Sequence, residues 1–437
     1  MRNFKLTFVG AGSTIFVKNL VGDCMLRYPD VAFEVALFDI DEKRLEESRV
    51  MLEYIAKKYQ SKAKVVAYLN RKAAFKDADF IVNAIQVGGY ESTLVDFEIP
   101  KKYGLRQTIA DTLGIGGIFR ALRTIPVLES MAEDIRECCP NALFLNYVNP
   151  MAILTKYLIE KLHINAVGLC HSVQYCLDAI LRVVDMKEYE KTCQWMFAGI
   201  NHQAWLLEIK DEYGNDLYPE IKKRSKKRIE EKSLSWDLVR HELMHRFGYY
   251  LTESSEHSSE YMPYFIKEKY PELIEKYNIP LDEYPRRCVK QRNEWNERKQ
   301  LLVTDAGEHT ISNEFASLII GAKMGGQECR IHGNVMNNGL ITNLPYNCCV
   351  EVPCLVDSSG INPCYIGDLP EQCAALNRTN INVQNLTVEG AFQRSKELIY
   401  MAAYFDPHAS SELSMDDIKA MCDDLFEAHK QWLPEYH

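Results

Sequence analysis

Lys5-Leu6-Thr7-Phe8-Val9-Gly10-Ala11-Gly12-Ser13-Thr14-Ile15-Phe16-Val17-Lys18-Asn19 is the stretch that decides the fold. Lys5–Val9 is a short apolar strand, Gly10–Ser13 a turn rich in glycine, and Thr14–Arg27 carries apolar residues at helical spacing. Strand, glycine turn and helix follow one another without a spacer. The same alternation continues outward. Phe33–Ile40 is a second strand ending near Asp39, Asp41–Tyr59 a charged helix, Lys64–Tyr68 a third strand and Asp79–Ile85 a fourth. Ala142–Val148 and Ala166–Cys170 are the fifth and sixth. Strands that alternate with helices specify a doubly wound α/β domain, a Rossmann-like parallel sheet with helices on both faces, whose ligands lie beyond the carboxyl ends of the strands.

Beyond about residue 195 the pattern changes. Helical stretches over Ser233–Tyr250 and Pro271–Gln300 give way to strand and turn signals across Cys329–Leu369, and helical periodicity returns from Val388 to His429. The chain is thus expected to divide into a Rossmann-like domain, residues 1–195, and an α+β domain, residues 196–437. The basic run Ile221–Lys232 is expected to be a solvated helix face or loop. The 437 residues are 47% apolar and 26% charged, a composition that supplies a large core and excludes disorder, collagen and coiled coil. The net charge of −10 argues against a nucleic-acid partner. No apolar run reaches the roughly 18 residues of a membrane span, and the N-terminus leads straight into a strand. A cytoplasmic location is expected. The fourteen cysteines are scattered and include no Cys-x-x-Cys, so most are expected to be buried thiols.

Chemistry enters at the glycine turn. Glycines there let backbone amides approach a pyrophosphate held on the positive end of the following helix, although a Gly-x-Gly turn can also be a mere strand-to-helix connection. Position 15, where a third glycine would complete the fingerprint, is Ile15. Asp39 tips the balance, because an acid at the end of the second strand accepts hydrogen bonds from both ribose hydroxyls and repels a 2′-phosphate. NAD is favoured over NADP. Three polar clusters close later strands: Asn146-Tyr147-Val148-Asn149-Pro150, Gly168-Leu169-Cys170-His171-Ser172 and Gly199-Ile200-Asn201-His202. A thiolate and an imidazole together can hold a divalent transition metal and leave positions open for a substrate's oxygens.

The stretches Gly10–Asn19, Ile109–Gly114, Asn146–Met151, Gly168–Gln174, Gly199–His202 and Thr252–His257 resemble glycoside hydrolase family four, most of all its α-galactosidase (melibiase) members. The likeness runs through Gln431-Trp432-Leu433-Pro434 and so covers nearly the whole chain. It implies a fold similar to lactate and malate dehydrogenases, NAD and Mn²⁺ as cofactors, and a chemistry outside the two-carboxylate scheme of most glycosidases. In that chemistry NAD⁺ takes hydride from C3 of the sugar, which makes the C2 proton α to a carbonyl. A base removes that proton, the C1 leaving group is eliminated, water adds, and hydride returns.

The resemblance also implies roles. Cys170 and His202 match the family's metal ligands, and Asn149 a residue that contacts both sugar hydroxyls and cofactor. Gly10, Gly12, Ser13, Asp39 and Gln86 complete the cofactor-binding set. His171 stands where several members carry an aspartate as leaving-group acid, a task an imidazolium can also perform. Tyr261 matches a tyrosine base, with His257 or Glu260 as alternatives, and would need its pKa depressed. Asp111 supports the catalytic site. His257 and Arg287, with Arg286 beside it, are candidates for substrate contact. The expected partner is a small α-glycoside, and the expected assembly a homo-oligomer, dimer or tetramer. Relatives with the same mechanism act on α-glucosides, glucuronides, galacturonides or 6-phosphosugars. Two competitors remain: a plain NAD-dependent hydroxy-acid dehydrogenase, which fits the fold, and a zinc protease, because His241-Glu242-Leu243-Met244-His245 matches the zincin pattern. The second is opposed by Arg240 and Arg246, which flank the motif as on a solvated helix, and by Leu251 where a third histidine would stand.

Overall fold

The computed structural model describes residues 1–304 and 309–437. Its first strand, β1 (Phe4–Val9), is buried on both faces, as the centre of a parallel sheet requires. β2 (Phe33–Phe38), β3 (Lys64–Tyr68), β4 (Phe80–Asn83), β5 (Leu143–Asn146) and β6 (Ala166–Gly168) follow, each a residue or more shorter than the sequence pattern suggests except β3. The trimmed positions, Asp39–Ile40, Asp79, Ala84–Ile85, Ala142, Tyr147–Val148 and Leu169–Cys170, lie outside the strands, and those that follow a strand enter the loops at its carboxyl end. Later strands are β7 (Gln194–Ile200), β8 (Gln203–Lys210), β9 (Tyr250–Leu251), β10 (Cys329–Met336), β11 (Cys349–Asp357) and β12 (Gly360–Pro363).

Among the described residues these strands form one sheet of order β3-β2-β1-β4-β5-β6-β10-β11-β7-β8-β9, with β12 paired to β11. The first six are parallel and the rest antiparallel, so the sheet passes from one half of the chain to the other without a gap. The join is made by β10, inserted against β6 at the Asn334–Gly168 pair, and by β11, which meets β7 at the Glu351–Gly199 pair.

Helices cover both faces. Asp41 caps the helix Glu42–Lys58 by accepting from the Arg44 amide at 3.1 Å. The helix Leu238–Phe247 stops at Gly248, whose φ of +93° suits a left-handed terminator. Helical structure near the C-terminus begins at Glu371, well before the expected Val388, because the helix Glu371–Gln393 turns Asn377, Asn380 and Gln384 inward. A polar inner face is invisible to apolar periodicity. The long helix Gly114–Cys138 packs Leu122 and Ile125 into a core shared with Val388, Ile399 and Leu425. Among the described residues no helix is long and apolar enough to cross a membrane.

The last helix, Met415–His429, is tied to this core by a buried ionic cluster. Arg123 places two guanidinium nitrogens on Asp96 at 3.0 and 2.6 Å, and His429 Nε2 lies 2.9 Å from the same carboxylate. Truncating one member strands a buried charge, which costs about 3–5 kcal/mol. Asp96→Ala is therefore expected to lower the unfolding free energy by about that amount in urea titration, whereas Glu427→Ala, which removes an exposed pair with Lys430, leaves the midpoint in place.

Candidate active site

Because β1, β4, β5 and β6 run parallel, their carboxyl ends share one edge, and the residues just beyond them meet there. Gly10 has φ +87°, and a Cβ on it would lie 2.6 Å from the Ala84 carbonyl oxygen, so only glycine fits between β1 and the loop after β4. The Gly12 amide donates to Asp39 Oδ2 at 2.6 Å, while Asp39 Oδ1 accepts from the Asp41 amide at 2.9 Å. Asp39 thus holds the turn in shape with lone pairs to spare on each oxygen. Ser13 gives no side-chain cap to the helix Thr14–Arg27. This positive helix end, the close approach allowed by Gly12 and the carboxylate of Asp39 fit a dinucleotide. Gln86 is exposed beyond β4 and turns its amide toward Gly89 O and Thr93 Oγ1, each at 3.3 Å.

A second constellation forms where the two halves of the sheet meet. Cys170 lies two residues past β6, His202 in the two-residue turn between β7 and β8, and Glu253 two residues past β9. One ligand atom from each lies within 4.8 Å of the others, a donor set of thiolate, imidazole and carboxylate suited to a divalent transition metal. Burial holds the His202 imidazole down to about 4, so it is neutral and able to donate a lone pair. Burial, helped by Glu351 and Glu253, pushes the Cys170 thiol far up, a penalty that a cation removes. Against the upward pull of burial, His202, His257 and His171 bring Glu253 down to about 2. His202 and Glu253 both have left-handed backbones, with φ +62° and +68°. Strain of this kind is retained where surrounding structure demands one side-chain direction.

Around these groups stand the other expected residues. His202 Nδ1 is 3.0 Å from the Tyr261 hydroxyl, and Nε2 is 3.2 Å from Glu253 Oε2. Tyr261 is buried, and burial with the nearby Asp111, Glu260 and Glu253 carboxylates raises its pKa, opposite to the depression a tyrosine base needs. Glu260 is committed elsewhere: it accepts from the amides of Thr108 at 2.7 Å and Ala110 at 2.8 Å and shapes the loop that carries Asp111. Asp111 accepts from Thr112 Oγ1 at 2.7 Å and from Asn149 Nδ2 at 3.4 Å, and His257 Nε2 is 3.9 Å away. Asn149 Oδ1 is buried with no partner. His171 is half exposed; burial alone would lower its pKa, but Glu314 at 3.4 Å, with Glu253 and Glu351, raises it. Arg287 is bound by Glu283 at 2.8 Å and Glu256 at 3.0 Å, and Arg286 by Glu283 at 2.8 Å.

Four participants carry no motif of their own. Glu253 sits inside the quoted Thr252–His257 stretch but is singled out only by its neighbours in space. Arg120, whose Nε donates to Asn149 O at 3.1 Å and whose Nη1 is buried without a partner, lies on the helix Gly114–Cys138, six residues past the Ile109–Gly114 stretch. Glu314 and Glu351 come from the second half of the chain. The zincin-like helix is only in part the solvated face its flanking arginines suggest: His241 and Arg240 are buried, whereas His245 and Arg246 are exposed. His241 Nδ1 and His245 Nε2 converge on Ser225 Oγ at 2.7 and 3.0 Å, and Arg240 pairs with Asp237. Both histidines are thus turned to a serine of the neighbouring helix, His241 from within the packing and His245 from its exposed side.

Comparison with known proteins agrees with this geometry. The family 4 glycosyl hydrolase model matches residues 5–186, and the model of that family's C-terminal domain matches residues 197–409. An α-galactosidase of Bacillus subtilis is 56% identical over 434 residues, 99% of either chain. The solved 6-phospho-β-glucosidase of Thermotoga maritima, with manganese, NAD⁺ and glucose-6-phosphate, superposes with a TM-score of 0.78 at 22% identity, over 99% of this chain and all of the other. A Plasmodium falciparum malate dehydrogenase in complex with NADH superposes at 0.50 and 14% identity over 91% and 99% of the two chains, a likeness of fold alone. Matched by family models over both halves, and by a close relative from end to end, the chain belongs to glycosyl hydrolase family 4.

Proposed function

We propose that this protein is an α-galactosidase that hydrolyses small α-galactosides such as melibiose with NAD and Mn²⁺. The observation that carries the mechanism is the meeting of Cys170, His202 and Glu253 at the same sheet edge as the Gly10–Ser13 turn and Asp39. The 56% identity to an α-galactosidase supports galactose as the sugar. Bound NAD supplies a reversible hydride acceptor, and bound Mn²⁺ a Lewis acid for the sugar's oxygens.

The protein's own groups do the rest. In the tautomer that carries its proton on Nδ1, neutral His202 would donate to the Tyr261 oxygen and turn the Nε2 lone pair toward Cys170 and Glu253. The same bond favours a phenolate on Tyr261 and so prepares it as the C2 base against the upward pull of burial. His171, held toward its protonated form by Glu314, would act as leaving-group acid at the exposed side of the site. Asn149 Oδ1 is an unpartnered acceptor for a sugar hydroxyl, and Arg120 Nη1 an unpartnered donor nearby. Asp111 fixes Asn149 and faces His257, whose ring would contact substrate along with Arg287. Gly10, Gly12 and Ser13 would cradle the pyrophosphate, Asp39 the ribose, and Gln86 and Asn149 the nicotinamide end. In this scheme residues 1–195 bind NAD, residues 196–437 supply most of the metal and substrate groups, and the enzyme works in the cytoplasm as a homo-oligomer.

Nitrophenyl glycosides assayed with and without NAD⁺ and Mn²⁺ test class, cofactors and sugar together. The α-galactoside is expected to be cleaved only with both cofactors and with no lasting rise in absorbance at 340 nm; stoichiometric NADH, or full activity in excess chelator, would overturn the proposal. Cys170→Ser and Glu253→Gln are each expected to weaken Mn²⁺ binding by at least about tenfold in calorimetric titration, since a hydroxyl or an amide is a poorer ligand. An unchanged affinity in either variant removes that residue from the metal site.

A further inference from the structure

Cys170 and His202 come from strands that are not neighbours. β6 and β7 are separated in the sheet by β10 and β11, and the row of paired residues Gly168, Asn334, Glu351, Gly199 crosses that gap. Cys170 lies two residues beyond one end of the row and His202 three beyond the other. Within this span are polar side chains that the fold buries completely. Glu351 is 0% exposed, Asn334 0% and Asn201 1%. Both carboxyl oxygens of Glu351, both amide atoms of Asn201 and Oδ1 of Asn334 are unpartnered, although Asn201 and Asn334 lie beside the Glu351 carboxyl. Buried polar groups are seldom left so, and five at one place need an account.

Donor and acceptor counting supplies it. Asn334 Nδ2 is already spent on the Gly168 carbonyl at 3.3 Å, so Asn334 Oδ1 needs a donor. Asn201 Nδ2 needs an acceptor. A carboxylate offers acceptors only, whereas a carboxylic acid offers one of each. We propose that Glu351 is a positioning residue for the metal, an uncharged hydrogen-bonding bridge that donates to Asn334 Oδ1, accepts from Asn201 Nδ2, and thereby sets the separation of Cys170 and His202. The chain Gly168–Asn334–Glu351–Asn201 then runs from the strand that precedes one ligand to the residue next to the other. Outer partners that orient ligands in this way typically contribute about 10- to 100-fold to metal affinity.

This bridge rests on the metal site proposed above, and the test separates the two. Apo protein is titrated with Mn²⁺ by calorimetry, and with Co²⁺ while the thiolate-to-cobalt charge-transfer band is recorded. Glu351→Gln keeps one donor and one acceptor, so it is expected to bind Mn²⁺ within about threefold of the parent and to retain the band. Glu351→Ala and Asn334→Leu break the chain and are expected to bind about tenfold or more weakly, with a diminished or displaced band. The proposal is overturned if Glu351→Gln is as impaired as Glu351→Ala, for then charge or direct ligation matters. It is equally overturned if Glu351→Ala or Asn334→Leu binds like the parent. Should far-UV circular dichroism show that Glu351→Ala does not fold, Glu351→Gln and Asn334→Leu decide by the same criteria. A parent that binds no Mn²⁺, or a Cys170→Ser variant that binds it unchanged, would instead defeat the metal site itself.

Discussion

Main-chain pairing across the join between β6, β10, β11 and β7 is the constraint on which the rest of this molecule depends. A parallel half-sheet gathers the glycine turn, Asp39, Asn149 and Cys170 at one edge, but the imidazole and carboxylate that meet the thiol within 4.8 Å come from the other half. The antiparallel half brings His202 and Glu253 in turns beyond β7 and β9. Joined as one sheet, the two halves set donors from residues 170, 202 and 253 within a few ångströms of one another. Two intervening strands make that spacing rigid, because a slip of one residue in either ladder would turn a ligand to the opposite face.

Burial then gives the site its chemical character. A thiol, an imidazole, a phenol and several carboxyls are packed where water is largely excluded, and each is driven toward its neutral form unless a counter-charge is near. His202 obeys this rule, as do Cys170, Tyr261 and Glu351. Glu253 departs from it because three histidines surround it. A dication held by Cys170, His202 and Glu253 would reverse the sign for the thiol and the phenol at once, since both gain from an adjacent positive charge. In the proposed mechanism, metal binding and the readiness of Tyr261 as base would thus be coupled by ordinary electrostatics. The left-handed conformations of His202 and Glu253 fit the same picture, since the cost of each is accepted in order to aim a side chain inward.

The amino-acid sequence by itself determined the doubly wound first half, because strand, glycine turn and helix are local patterns that follow from periodicity and from the conformational freedom of Gly10. It also determined Asp39, Asn149, Cys170, His171 and His202 as strand-end polar residues, and several motifs together marked the family. Strand ends were less legible, since apolar residues such as Ile40, Ile85, Val148 and Leu169 continue past the last paired position into the loops. The helix over Glu371–Gln393 was hidden by its inward asparagines. Only the tertiary structure decided that Glu253 joins Cys170 and His202, that Glu260 is occupied by the Thr108 and Ala110 amides, that Glu314 partners His171, and that His241 and His245 turn to Ser225. Each of these depends on which distant segments share a layer, and on how burial settles a proton, and neither is set by the spacing of residues along the chain.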